Sequence, residues 1–287
     1  MKTILVTGAT GFIGNYVVEQ LLKKGFKVIA SSSNEEKASC QNWFDKVIYR
    51  PFDFASFDSH NNYFDYFQQP NLLIHLAWQG LPNYKNEFHV KENLPAHVHF
   101  LKNLIDHGLK DVTITGTCLE YGMKEGCLSE EMECVPTNAY AIAKNELRKY
   151  LEIYTLEKGV DFKWVRLFYI FGKGQNPNSL FSQLENAIVS NERVFNMSGG
   201  EQIRDYLSIE LVAEYIVEIS LQNNITGVIN CSSGKPVKLT DLIEEIIDER
   251  TSDIQLNKGF YPYPDYEPMA FWGDNSKLTR ILNIDSG

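Results

Sequence analysis

Thr7-Gly8-Ala9-Thr10-Gly11-Phe12-Ile13-Gly14 is the stretch on which the fold turns. It closes a short β-rich run, residues 3–7. It precedes an apolar helical stripe of Val17, Val18, Leu21 and Leu22 that ends at Gly25. Glycines spaced GxxGxxG between a strand and a helix have a physical meaning. Gly8 permits a tight turn, Gly11 lets backbone approach a pyrophosphate, and Gly14 lets helix and strand pack closely. The helix N-terminus then offers unpaired N–H groups and partial positive charge to phosphate. A lone glycine turn can be purely structural. At the first strand of a βαβ unit it points to a dinucleotide, with Thr10, Phe12 and Ile13 completing the cradle.

Outward from this loop, strand and helix alternate. Residues 26–30, 46–49 and 71–77 read as strands, and 93–104 as a helix that stops near Gly108. Residues 111–115 are strand-like, 140–156 form a long helix, and 162–167 are strand again. This rhythm predicts an α/β fold: a doubly wound, parallel, Rossmann-type sheet with right-handed crossovers. After Gly172 the loops lengthen, as in Gly174-Gln175-Asn176-Pro177-Asn178. Helices over 180–189 and 211–221, a strand at 227–231 and a helix near 239–248 follow. We expect a dinucleotide domain at residues 1–167 with a returning segment at about 205–231. A smaller C-terminal substrate-binding lobe takes 168–204 and 232–287.

The chain has 287 residues, 44% hydrophobic and 22% charged, which is ordinary globular composition with ample length for a core. Its formal charge of -10 argues against a basic face for nucleic acid. No apolar run is long enough for a signal peptide or a membrane span, so no membrane partner is expected. Cys40, Cys118, Cys127, Cys134 and Cys231 lack a CxxC pair and read as free thiols in a reducing cytoplasm. His97 and His99 diverge on a helix, so no metal site is expected.

The second strand ends in Ala30-Ser31-Ser32-Ser33-Asn34. No carboxylate stands there to accept bonds from ribose hydroxyls, and a 2′-phosphate would meet the Ser32 hydroxyl instead. This favours NADP(H); NAD(H) stays possible because no Arg adjoins the serines. Asp53, followed by Phe54, is placed to bond the adenine amino group or to cap the next helix. Tyr140 and Lys144 are four apart and share one helical face. An adjacent ammonium lowers a phenol's pKa, which would make Tyr140 a general acid or base. Thr117, beyond the strand at 111–115, can hold the same substrate oxygen. Such a Tyr–Lys pair alone is commonly an exposed helix pair; the order glycine loop, threonine, tyrosine, lysine gives it weight.

These motifs, with HLAW (75–78), Asn93, TGTCLEYG (115–122), RLFYIFGKGQ (166–175) and IRDYLSIE (203–210), resemble the extended short-chain dehydrogenase/reductase family. The resemblance is to its NAD-dependent epimerase/dehydratase group and runs over nearly the whole chain. It implies that Thr117, Tyr140 and Lys144 are catalytic. It implies that Leu76, Ala77, Trp78, Asn93 and Thr115 lie near the cofactor. Cys118, Gln175 and Asn176 would face a nucleotide sugar. Arg204 would grip its nucleotide part, where a planar guanidinium suits phosphate. An internal Arg204–Asp205 ion pair is the structural alternative. Members of the group often dimerise, which would use Phe100, Leu101, Leu104, Tyr150 and Tyr154 as a surface; as an aromatic stripe these could equally be core.

Two departures from the family pattern matter. Its dehydratases carry Glu two residues after the catalytic Thr, where this chain has Leu119. Glu120 is one step on, and one step near a strand end turns a side chain the other way. That argues against a dehydratase. Tyr169 stands where many members have Asn. The expectation is an NAD(P)H-dependent 4-ketoreductase of an NDP-4-keto-6-deoxyhexose, dTDP-linked by preference, making deoxysugar for surface polysaccharide such as O-antigen. A UDP-sugar 4-epimerase with tightly held NAD is the first alternative. A non-catalytic dinucleotide-binding protein is the second, because fold does not fix function.

Overall fold

The strand Thr3–Thr7 (β1) is apolar at Ile4, Leu5 and Val6, all fully buried, because it lies mid-sheet with helices on both faces. The computed structural model that shows this describes residues 2–284; residues 1 and 285–287 of the expected domains lie outside them. Beside β1 run Lys27–Ser31 (β2), Ile48–Tyr49 (β3), Leu72–His75 (β4) and Asp111–Thr117 (β5). The seven-stranded sheet has the order Gly227–Cys231, Asp161–Leu167, β5, β4, β1, β2, β3. Every pairing is parallel. Strand order reverses between β1 and β4, the place where open α/β sheets hold ligands at the carboxyl ends of their strands. The doubly wound parallel fold read from the sequence is the fold observed.

Some boundaries moved, for identifiable reasons. The first part of 46–49 is a 3₁₀ turn, Phe44–Lys46, leaving β3 two residues long. The chain leaves the sheet after His75, bringing the Ala77 backbone against Gly8. β5 continues two residues beyond Thr115, because its ladder with Asp161–Leu167 runs on to the pair Thr117–Leu167. Thr117 therefore ends the strand and does not follow it.

The two faces of the sheet carry separate cores. On one, the helices Phe12–Lys23 and Ile209–Leu221 bury Val17, Val18, Leu21, Val212 and Ile216. On the other, Leu94–Asp106 and Ala139–Lys158 bury Phe100, Leu101, Leu104, Leu147 and Leu151. Phe100, Leu101 and Leu104 are thus core residues facing the sheet and offer no surface for a partner. Tyr150 and Tyr154 lie outward, stacked at 5.5 Å. A third core, with Leu184, Phe195, Met197, Leu239 and Ile243, joins Leu180–Val189 to Leu239–Glu249. The helix Ser276–Ile284 falls in the range assigned to the smaller lobe. It instead buries Leu278 and Ile281 in the first core. Among the described residues, no helix is long and apolar enough to cross a membrane.

Candidate active site

The glycine loop forms one wall of a cavity of about 210 Å³. Gly8 has φ +70°, and a Cβ there would lie 2.8 Å from the Ala77 nitrogen. A Cβ on Gly14 would lie 2.1 Å from the Gly8 carbonyl oxygen, so only glycine lets the helix sit this close to the turn. Gly11 is the N-cap of Phe12–Lys23, and no side chain occupies the free N–H groups. The loop therefore fits a pyrophosphate. Thr10, Gly11, Ser32, Phe54, Leu76, Ala77 and Trp78 line the cavity, as does Lys37, which the sequence reading missed. Lys37 comes after the serine run, on the short helix Glu35–Ser39 capped by Asn34, and so does not adjoin the serines in sequence. The Ser32 hydroxyl bonds the Tyr49 phenol at 3.0 Å. Asp53 caps the 3₁₀ turn Phe54–Ser56, accepting from the Ala55 N–H at 3.1 Å, and lines a neighbouring cavity with Ser33. Asn93, nearly buried at the end of the π-turn His89–Asn93, donates to the Gln79 carbonyl at 2.9 Å. It thereby ties down the loop that carries Trp78.

Thr117, Cys118 and Tyr140 line a second cavity, of about 350 Å³, together with Phe12 and Ile13. Tyr140 is buried, and its phenol is raised well above the usual tyrosine range. Burial is the main cause, followed by the charges of Tyr84, Glu120 and Cys118; a hydrogen bond with Thr117 opposes them. The expected lowering by Lys144 is not found. The Lys144 ammonium donates instead to the Thr115 carbonyl at 2.9 Å and lies 4.1 Å over the Trp78 ring. Burial pulls Lys144 down to about 7, and the charge of Glu120 opposes the shift. Trp78 is itself fixed, its indole N–H donating to His89 Nδ1 at 3.1 Å. The Thr115 hydroxyl donates to the His75 carbonyl at 3.3 Å, tying β5 to β4.

An adjoining cavity of about 420 Å³ shares Tyr84, Tyr169, Gln175, Asn176 and Glu267 with the second and adds Arg204, Tyr206 and Tyr266. Arg204 is 3% exposed. Its Nη2 pairs with Glu267 at 3.0 Å and its Nη1 donates to the Ile203 and Met269 carbonyls. The acidic partner of Arg204 is therefore Glu267 and not Asp205. Asp205 accepts backbone N–H bonds from Ser233, Gly234 and Gly273. Gln175 donates to the Ile170 carbonyl at 2.8 Å and leaves its own buried oxygen unpartnered among the described residues. The Tyr169 hydroxyl, in the position of the family's Asn, is buried beside Glu267 and Arg204. Tyr84 and Glu267 escaped the sequence reading because they reach the site from loops with no periodicity. Burial, then Tyr266 and Glu267, pushes the Tyr84 phenol up to about 12. Leu119 lines the cavity, whereas Glu120 is fully buried and bonds Arg166 and Trp164.

The model of the NAD dependent epimerase/dehydratase family matches residues 4–232. The dTDP-6-deoxy-L-talose 4-dehydrogenase (NAD(+)) of Aggregatibacter actinomycetemcomitans is 33% identical over 271 residues, covering 94% of this chain and 98% of that one. The UDP-glucuronate 4-epimerase of Thermodesulfobacterium geofontis (strain OPF15) is 24% identical over 302 residues, covering 99% and 91%. Among solved structures, MoeE5 in complex with UDP-glucuronic acid and NAD superposes with a TM-score of 0.81 at 20% identity, covering 98% of this chain and 92% of that one. The fold, the glycine loop and the family match agree: the chain belongs to the NAD dependent epimerase/dehydratase family, within the extended short-chain dehydrogenases/reductases.

Proposed function

We propose that the protein is a nucleotide-sugar oxidoreductase that reduces the C4 keto group of an NDP-4-keto-6-deoxyhexose, dTDP-linked by preference, and works as a cytoplasmic homodimer. The observation that carries this is one wall: Thr117, Tyr140 and Leu119 line the same cavity, next to the glycine-loop cavity. Leu119 has no proton to move, so the wall serves hydride exchange without elimination of water. The talose dehydrogenase relative is named for chemistry at the same carbon of a dTDP-6-deoxyhexose. The product would feed deoxysugar synthesis for surface polysaccharide.

A bound reduced nicotinamide supplies the hydride that C4 receives. Tyr140 gives its phenolic proton to the C4 oxygen, and the Thr117 hydroxyl holds that oxygen in place. The phenolate left behind regains a proton from solvent, while Lys144, fixed between the Thr115 carbonyl and the Trp78 ring, holds the wall behind Tyr140. Gly8, Gly11 and Gly14 hold the pyrophosphate, while Cys118, Gln175, Asn176 and Arg204 orient the nucleotide sugar. Lys37 beside Ser32 and Ser33 favours a 2′-phosphate, hence NADP(H). The relative named for NAD(+) favours NAD(H).

The test is absorbance of the reduced nicotinamide, with NADPH and NADH in parallel, on adding dTDP-4-keto-6-deoxyglucose. Oxidation that scales with enzyme is expected, and the faster cofactor decides the preference. No oxidation of either, with NAD retained through purification and a UDP-sugar interconverted at C4, would replace this reading by the epimerase. The UDP-glucuronate epimerase relative keeps that second reading in view.

A further inference from the structure

Glu120 is 0% exposed and has no part in the chemistry above. One of its oxygens accepts the Thr117 N–H at 2.9 Å and the Trp164 indole N–H at 3.0 Å. The other accepts Arg166 Nε at 2.8 Å, with Arg148 Nε at 3.8 Å. Its side chain crosses directly over Gly116. A Cβ there would lie 2.4 Å from the carboxylate and 2.1 Å from the indole nitrogen.

Part of this is a capping box: the Thr117 hydroxyl accepts the Leu119 N–H, and Glu120 accepts the N–H of Thr117. A neutral glutamine would cap equally well. Burying a charge is costly, so the charge answers a different need. Arg166 is one partner. The other is Lys144, whose ammonium sits 6.0 Å from the centre of the same Trp164 ring that donates its indole N–H to Glu120. The titratable groups that feel Lys144 are His75, His89, His97 and Glu120, with Tyr140 one turn away on the same helix. Glu120 is the acid among them.

We propose that Glu120 is a positioning residue for the reaction: from behind the site it pins Thr117 under the substrate oxygen and supplies the counter-charge to Lys144. The inference rests on the roles proposed above for Thr117, Tyr140 and Lys144. Burial draws Lys144 down to about 7 against the pull of Glu120. The same charge, after burial and Tyr84, raises Tyr140. Removing it lowers both groups, so the ammonium and the phenolic proton are both lost at lower pH.

The experiment follows Lys144 by [ε-13C]lysine NMR, where its titration near 7 stands apart from ordinary lysines near about 10.4. Its signal is assigned by its loss in Lys144→Met. Glu120→Gln removes the charge, and Glu120→Gln/Arg166→Met removes the ion pair together, so that no buried guanidinium is stranded. In both, the Lys144 midpoint is expected to fall by about half a pH unit or more. The alkaline limb of kcat should move with it, kcat at pH 8 should drop about threefold or more, and KM should change less than about twofold. An unchanged midpoint and pH profile in the double variant would overturn the proposal and leave Glu120 a structural partner of Arg166. Should the wild type turn over no nucleotide sugar while the midpoint still moves, the functional reading fails and the electrostatic role stands.

Discussion

Tyr140 packs its ring against Tyr84 at 5.6 Å and Trp78 at 6.1 Å, so the ring is held independently of its hydroxyl. Tyr140→Phe should keep the fold and cofactor binding while kcat falls by about 10²–10⁴, the usual worth of a positioned proton donor. Stopped-flow turnover alongside a cofactor titration checks this; near-wild-type turnover would end the assigned role. At this scale the sequence was readable where spacing carried the chemistry. Tyr140 and Lys144 share a helical face, and Thr117 ends a strand beside them. The charge relations were not readable. Lys144 spends its proton donors on Thr115 and its cation on Trp78, and Arg204 finds its carboxylate 63 residues away. No local pattern announces either partner.

At the scale of elements, the glycine loop is the part that spacing determines most tightly. Gly14→Ala would drive a methyl into the Gly8 carbonyl, forcing helix and turn apart. A loss of about 1–3 kcal/mol in stability is expected, with cofactor affinity reduced at least about tenfold. Gly25→Ala is the control: its φ is +80° but nothing lies within 4 Å, so backbone strain should cost about 1 kcal/mol and binding should persist. Chemical denaturation and cofactor titration of both variants separate the two effects. Equal cofactor affinity in Gly14→Ala and wild type would contradict the packing argument. Long apolar strands and long amphipathic helices were legible, because each offers several periods to count. The two- and three-residue strands of the smaller lobe, such as Ile203–Arg204 and Val237–Lys238, offer none. β5 was read two residues short because Gly116 breaks the alternation of Val112 and Ile114 with threonine.

For the whole molecule, the helices Leu94–Asp106 and Ala139–Lys158 lie side by side and leave Ile153 64% and Leu156 82% exposed. Two such apolar side chains on one helix, beside the stacked Tyr150 and Tyr154, are the basis for expecting the homodimer. Light scattering should give the mass of two chains, and Leu156→Glu should weaken the association; a single-chain mass at high concentration would remove it. The general architecture was legible in the alternation of elements, whereas the path between cores was not. The chain leaves the sheet after Leu167, returns to build Ile209–Leu221 and Gly227–Cys231, leaves again for Leu239–Glu249, and comes back with Ser276–Ile284.

That path has a consequence for how the protein is made. The edge strand Gly227–Cys231 pairs with Asp161–Leu167, more than 60 residues upstream, and β1 waits for β4 across a comparable interval. Parallel pairings of such separation form slowly, since the loop between them must close before any contact rewards it. On the ribosome the sheet stays unfinished until the chain has emerged beyond residue 231. The first core stays open until the last helix follows. Until Gly227–Cys231 emerges, the nascent chain carries Asp161–Leu167 as a bare sheet edge, the state in which a chaperone would be needed most.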